Sequence, residues 1–165
     1  GTRMPWRMHS EYLYRLYLDN ELATNRFPVG GQLVRLSDIR VPMFVVGTEA
    51  DHVAPWKSVY KVDNLVRSDD LTFLLTSGGH NAGIVAGPVH PKRHYRMRRR
   101  RLADPHLAPA DWMDAAPKSE GSWWPAWQQW LAEHSGAKSK PPAMGAAAKG
   151  LKAIEDAPGQ YVRKR

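Results

Sequence analysis

The sequence predicts an α/β fold with two late parallel strands joined by a crossover helix, and three observations predict it. Val41-Pro-Met-Phe-Val-Val46 is a continuous apolar run ending in Gly47, the pattern of a strand buried on both faces. Leu71 to Thr76 is a second such run, closed by Ser77-Gly78-Gly79. Between them Val59, Val62, Leu65 and Val66 keep helical spacing behind Pro55, which suits a first helical turn. Strand, helix and strand in that order make a βαβ unit.

The remaining elements follow along the chain. His9 to Thr24 reads as a helix, with Leu13, Leu16 and Tyr17 in one apolar row and Tyr14, Leu18 and Leu22 in another. Ser10 is its expected N-cap and Asn25 its C-terminal stop. Apolar groups over more than half the circumference imply burial on two sides. Phe27 to Leu36, with Gly30-Gly31 at its centre, reads as a small hairpin. Pro42 stands near the start of the first buried strand, where a missing donor is tolerated. After Gly87 the sequence reads as an irregular basic loop, followed by helices at Pro109 to Ala115 and Trp124 to Glu133. Trp123, Trp124, Trp127 and Trp130 form one face expected to pack on the sheet. Beyond Gly136, Ala, Gly, Pro and Lys dominate, which reads as a flexible basic tail. The expected organisation is a helical segment at 1–26, the main α/β part at 27–135 and a tail at 136–165.

The 165 residues suffice for one domain with a core. The net charge of +8 is unevenly spread, because Lys92 to Arg101 holds seven basic residues and no acid. Residues 136–165 hold seven more against Glu155 and Asp156, which leaves the rest of the chain at −4. A solvated loop and tail are expected, and nucleic acid is not, since Tyr95 is the single stacking aromatic inside the basic run. Absence of Cys excludes disulfides and Cys-rich zinc sites. No apolar stretch reaches the roughly 18 residues of a membrane span, and no histidine shows metal-ligand spacing.

Each buried strand runs into a loop with an ionisable residue, Asp51 after the first and His80 after the second. Chemistry in open α/β sheets gathers beyond the carboxyl ends of the strands. α/β hydrolases order their triads as nucleophile, acid and histidine, with the last two on successive late strands. An imidazole can take a proton from a nucleophile and return it to a leaving group, while a carboxylate fixes its tautomer. Asp51 is equally readable as a turn residue or helix cap, and His80 as a hydrogen-bonded loop histidine. His52 reads as a hydrogen-bonding neighbour of Asp51. No Gly-x-Ser-x-Gly or Gly-x-Cys-x-Gly elbow precedes Asp51.

Three ordered segments go further: Gly47-Thr-Glu-Ala-Asp-His-Val-Ala-Pro-Trp56, Thr76-Ser-Gly-Gly-His-Asn-Ala-Gly-Ile-Val85 and Gly121-Ser-Trp-Trp-Pro-Ala-Trp127. With the ending Ala157-Pro-Gly-Gln-Tyr-Val162 they resemble the C-terminal portion of polyhydroxyalkanoate synthases of the single-subunit kind. The resemblance implies the C-terminal part of an α/β-hydrolase fold, with residues 1–26 ending a cap region. It implies an acyltransferase that polymerises (R)-3-hydroxyacyl-CoA into polyester and releases CoA, with no cofactor and no metal. Asp51 and His80 would be catalytic beside a family Cys, which matches no position here, so the chain alone is expected to be inactive. His52, Trp56 and Asn81 would lie near substrate. The implied partners are the acyl-CoA, the growing polyester chain and a second copy in a homodimer, at a cytoplasmic granule surface. Arginines 98–101 could meet CoA phosphates, although solvation is the plainer expectation. Two rivals stand beside this reading, a non-catalytic granule-associated module and an esterase or depolymerase of the same fold.

Overall fold

The computed structural model describes residues 3–90 and 92–164, so the outer ends of the expected 1–26 and 136–165 segments lie outside the described residues. The chain divides into two units, one up to Glu133 and the other from His134 onward. The first begins with α1 (Trp6–Glu11), which runs directly into a π-helical stretch, Tyr12–Leu18. The expected single helix over His9 to Thr24 is thus corrected at both ends. Pro5 takes the N-cap position and Ser10 lies inside α1. The wider π-helical turn, in which the Asp19 N–H donates to the Tyr14 carbonyl at 2.8 Å, shifts the phase of the apolar rows. Asn25 does adopt a left-handed φ of 59°, but it closes a later turn rather than the helix. Burial on two sides is also corrected: neither helical stretch contains a buried residue, and Tyr17 is 80% exposed.

The hairpin forms as expected, with β1 (Phe27–Val29) antiparallel to β2 (Gln32–Val34). Gly30 and Gly31 both adopt positive φ there, as a two-residue loop requires. The main sheet contains β3 (Met43–Thr48), β4 (Asp70–Thr76), β5 (His94–Arg101) and β6 (Lys118–Glu120), in that spatial order. β3 and β4 are parallel, with Met43 opposite Leu71 and Thr48 opposite Thr76. β4 is buried throughout, whereas β3, at the sheet edge, is fully covered only at Gly47 and Thr48. The helical region between them breaks at Tyr60 and Lys61 into α2 (Trp56–Val59) and α3 (Val62–Leu65), not one continuous helix.

The basic run is the main correction. It is no loop, because residues 94–101 form β5, antiparallel to β4 from Asp70↔Arg101 to Thr76↔Tyr95. Two carboxylates make this tolerable. Asp70 accepts from Arg99 and also lies 3.6 Å from Arg101, while buried Asp63 accepts from Arg100. Arg99 is held even more firmly protonated by its hydrogen bond to Asp70. Arg96 donates to the Ala116 carbonyl at 2.8 Å. β5 then pairs antiparallel with β6, a three-residue strand that no sequence feature announced.

Both late helices match expectation, α4 as Pro109–Ala115 and α5 as Trp124–Glu133. One sheet face carries the core of Leu71, Phe73 and Leu75 against Tyr60, Val66, Trp112 and Ala116. Phe73 meets Trp112 edge to face at 5.0 Å, and Tyr60 in the same manner at 5.0 Å. On β3, Phe44 receives Trp123 at 6.4 Å and Trp130 at 5.6 Å, so the tryptophan-rich segment does pack on the sheet. The second unit contains short turns at Ala147–Lys149 and Tyr161–Arg163 and an isolated bridge between Ala146 and Leu151. Its residues are almost all exposed. Among the described residues, no helix is long and apolar enough to cross a membrane.

Candidate active site

The parallel register of β3 and β4 ends both strands at one rim, and the two following loops are tied together there. The Glu49 N–H donates to the Thr76 carbonyl at 2.9 Å, and the Ala50 N–H donates to the Gly78 carbonyl at 3.0 Å. Asp51 comes next. Its Oδ1 accepts the Val53 and Ala54 N–H groups, each at 2.8 Å, an Asx turn that fixes the carboxylate plane. Its Oδ2 is left for His80, whose Nδ1 lies 2.9 Å away, and for the Thr48 hydroxyl at 3.4 Å. The Ala54 amide, followed by His80 and the Val53 amide, holds the Asp51 carboxyl down at about 2, although burial works the other way. The carboxylate therefore stays charged at any pH near neutrality.

His80 sits on the turn Ser77-Gly78-Gly79, and that turn demands glycine. Gly78 has φ +107°, and a Cβ there would stand 2.6 Å from Arg93 Nη1 and 3.0 Å from the Gly83 nitrogen. Gly83 is equally confined, since a Cβ would meet Thr48 Cγ2 at 2.6 Å. The Ser77 N–H donates to the His94 carbonyl at 2.9 Å, and the His94 N–H returns to Ser77 Oγ at 3.1 Å. The chain after His80 is held by the Gly121-Ser-Trp-Trp segment. Trp123 Nε1 donates to the Gly83 carbonyl at 3.0 Å and Trp124 Nε1 to the Ile84 carbonyl at 2.9 Å. Ser122 Oγ donates to the Ala86 carbonyl at 2.5 Å. These bonds give the tryptophan motif a second task besides packing, which is to fix the loop that carries His80.

The structure thus brings Asp51 and His80 together across 29 residues of sequence. Asp51 is nearly enclosed at 7% side-chain exposure while His80 is 48% exposed. With Nδ1 directed to the carboxylate, Nε2 is the nitrogen available to a reacting group. His52 and Asn81, adjacent in sequence to the pair, are exposed, and the Asn81 carbonyl accepts the Val85 N–H at 2.9 Å. Trp56 packs among Tyr60, Phe73 and Trp112, with ring centroids at 6.3, 6.5 and 5.9 Å. Sequence reasoning missed two further groups beside the site and one structural cluster at the opposite end of β4. Glu49 meets His94 Nε2 at 3.1 Å, Arg93 reaches the Ser77 carbonyl at 3.4 Å, and Asp63 joins Arg100 to His106. A strand assignment for residues 94–101 would have exposed the first two, since it sets His94 and Arg93 beside the end of β4. No group of three or more acidic, His or Cys side chains suited to a metal occurs among the described residues.

No protein-family model matches the chain. Individual relatives do. Over all 165 residues it is 38% identical to the poly(3-hydroxyalkanoate) polymerase subunit PhaC of Rhizobium meliloti (strain 1021), of which it covers 26%. It is 37% identical, again along its whole length, to the PhaC subunit of Cupriavidus necator, covering 27% of that protein. To poly(3-hydroxyalkanoate) polymerase 2 of Ectopseudomonas oleovorans the identity is 33%, with 28% of that protein covered. The chain therefore spans about a quarter of the length of the relatives it matches.

Proposed function

Because the chain belongs with the poly(3-hydroxyalkanoate) polymerases, corresponding to their C-terminal part, we propose that it supplies the acid–base half of an α/β-hydrolase-type triad. The reaction is transfer of (R)-3-hydroxyacyl groups from CoA thioesters to a growing polyester. The observation that carries this reading is the 2.9 Å contact between His80 Nδ1 and an Asp51 carboxylate already fixed by two backbone amides.

The nucleophile is a Cys thiol on a segment outside this Cys-free chain. His80 Nε2 takes the thiol proton while the sulfur attacks the thioester carbon. The carbon–sulfur bond to CoA then breaks, and the imidazolium protonates the departing thiolate. Asp51 holds the Nδ1–H tautomer and stabilises the imidazolium, leaving Nε2 free to act. In chain extension the same base, assisted by Asp51, accepts the proton of a 3-hydroxyl group as the hydroxyl oxygen attacks the Cys-bound acyl carbon; the carbon–sulfur bond to the Cys breaks, and the imidazolium returns the proton to the Cys sulfur. Homodimer formation and attachment at a polyester granule surface belong to the same proposal.

The test is thiol-detected CoA release by the full polypeptide that contains this chain. His80→Gln should lower kcat about a thousandfold or more with the fold intact. Retention of more than about a tenth of the activity in that folded variant would remove His80 from the chemistry. Thioester cleavage without polymer formation would redirect the reading to an esterase.

A further inference from the structure

We propose that Arg93 is a positioning residue for His80, acting through the Ser77-Gly78-Gly79 turn; this rests on the acid–base reading above for its catalytic consequence. Arg93 is the residue before β5, and its main chain is anchored because the Gly121 N–H donates to its carbonyl at 2.6 Å. Its guanidinium lies against Gly78, so closely that a Cβ on Gly78 would stand 2.6 Å from Nη1. Nη1 donates to the Ser77 carbonyl at 3.4 Å, and Nη2 lies 3.5 Å from His90 Nε2. The same Cβ would stand 3.0 to 3.1 Å from the Gly83 backbone, so the guanidinium and Gly83 together crowd the position that a side chain on Gly78 would take.

The arrangement is a poor one for stability, and that directs attention to its geometry. Arg93 Nε is buried and has no hydrogen-bond partner among the described residues, and both Nη contacts are long. Enclosing the Nε–H of a half-buried guanidinium without a hydrogen bond costs free energy that an apolar side chain of similar length would not. What the guanidinium contributes is a flat, rigid group filling a slot that a glycine with positive φ leaves open. Gly78 has the widest backbone freedom of any residue type and lies two positions before His80. Its carbonyl is fixed on one side by the Ala50 amide, from the loop bearing Asp51. The Arg93 guanidinium stands against the would-be Cβ position of Gly78 and against the Ser77 carbonyl. With both in place the turn has one conformation, and His80 Nδ1 stays on Asp51.

Two independent readouts test this. The first is the downfield proton resonance of His80 Nδ1–H bound to a carboxylate, which needs no substrate and no activity. Arg93→Met should abolish or broaden away this resonance while the dispersion of β4 amide signals persists, and Arg93→Lys should leave it present but broadened. The second is steady-state CoA release by the full polypeptide. Arg93→Met should lower kcat about a hundredfold with KM nearly unchanged, since a displacement of roughly 1 Å at a catalytic base costs that much. Arg93→Lys should recover part of the loss. A full-intensity, unshifted His80 resonance in Arg93→Met, or in Arg93→Lys should the Met variant not fold, overturns the proposal. If the resonance responds as stated but the unaltered protein releases no CoA, the positioning role stands and the acyl-transfer reading falls.

Discussion

Asp51–His80 and Asp63–His106 are both histidine–carboxylate pairs joined from Nδ1 to Oδ2, yet their surroundings differ on nearly every side. Exposure of the imidazole does not separate them, since His80 is 48% exposed and His106 36%. The second nitrogen does. His106 Nε2 lies 3.2 Å from Asn64 Nδ2, and its ring is stacked on Tyr60 at 5.6 Å. Asp63 also grips Arg100, and its charge adds to the burial that raises the Tyr60 hydroxyl to about 12. Both carboxylate oxygens of Asp63 and both imidazole nitrogens of His106 are committed, so the cluster fastens the loop after β5 to α3. At the strand ends, by contrast, backbone amides do the fastening and one imidazole nitrogen is spared. A histidine–carboxylate pair signals chemistry when the second imidazole nitrogen is left to the solvent side while the first is held by the carboxylate.

The largest expected effect follows from breaking the committed pair. Asp63→Ala strands Arg100 in a nearly enclosed position and should cost about 3–5 kcal/mol in denaturant unfolding. Next, His106→Ala removes a stacked ring and two hydrogen bonds, a loss of about 1–2 kcal/mol. His80→Ala, although expected to abolish turnover, should stay within about 0.5 kcal/mol of the parent because its ring supports nothing else. Equal destabilisation by the two histidine variants would erase the contrast. The smallest effect is in acid. The folded Asp51 carboxyl is depressed to about 2 from an ordinary 3.8. Its contribution is therefore whole above roughly pH 4 and is lost as the pH falls through about 2. Asp51→Asn should flatten the stability profile within that window and lower stability at neutral pH by the whole of that contribution, the two proteins converging as the pH falls through about 2.

Much of this architecture was legible from residue order. Continuous apolar runs located β3 and β4, although full burial holds only for β4; β3, at the sheet edge, is partly exposed from Met43 to Val46. Proline and tryptophan spacing located α4 and α5 to the residue. The site was legible through topology, because parallel neighbours end at the same rim and carry Asp51 and His80 there. β5 was not. Alternation is hidden when both faces carry arginine, and the carboxylates that neutralise it are 29 and 37 residues away. The break between α2 and α3 left no mark either, as valines continue at helical intervals across it. His106 lies 43 residues from Asp63, and no local pattern can announce such a partner.

The two indole N–H bonds onto the Gly83 and Ile84 carbonyls carry a practical consequence. Emission from an indole depends on its hydrogen bonding and on its access to water. The protein thus contains its own optical gauge on the histidine loop. Any event that lifts residues 81–86 must strip those two chromophores of their acceptors and move their fluorescence toward the red, with no label attached.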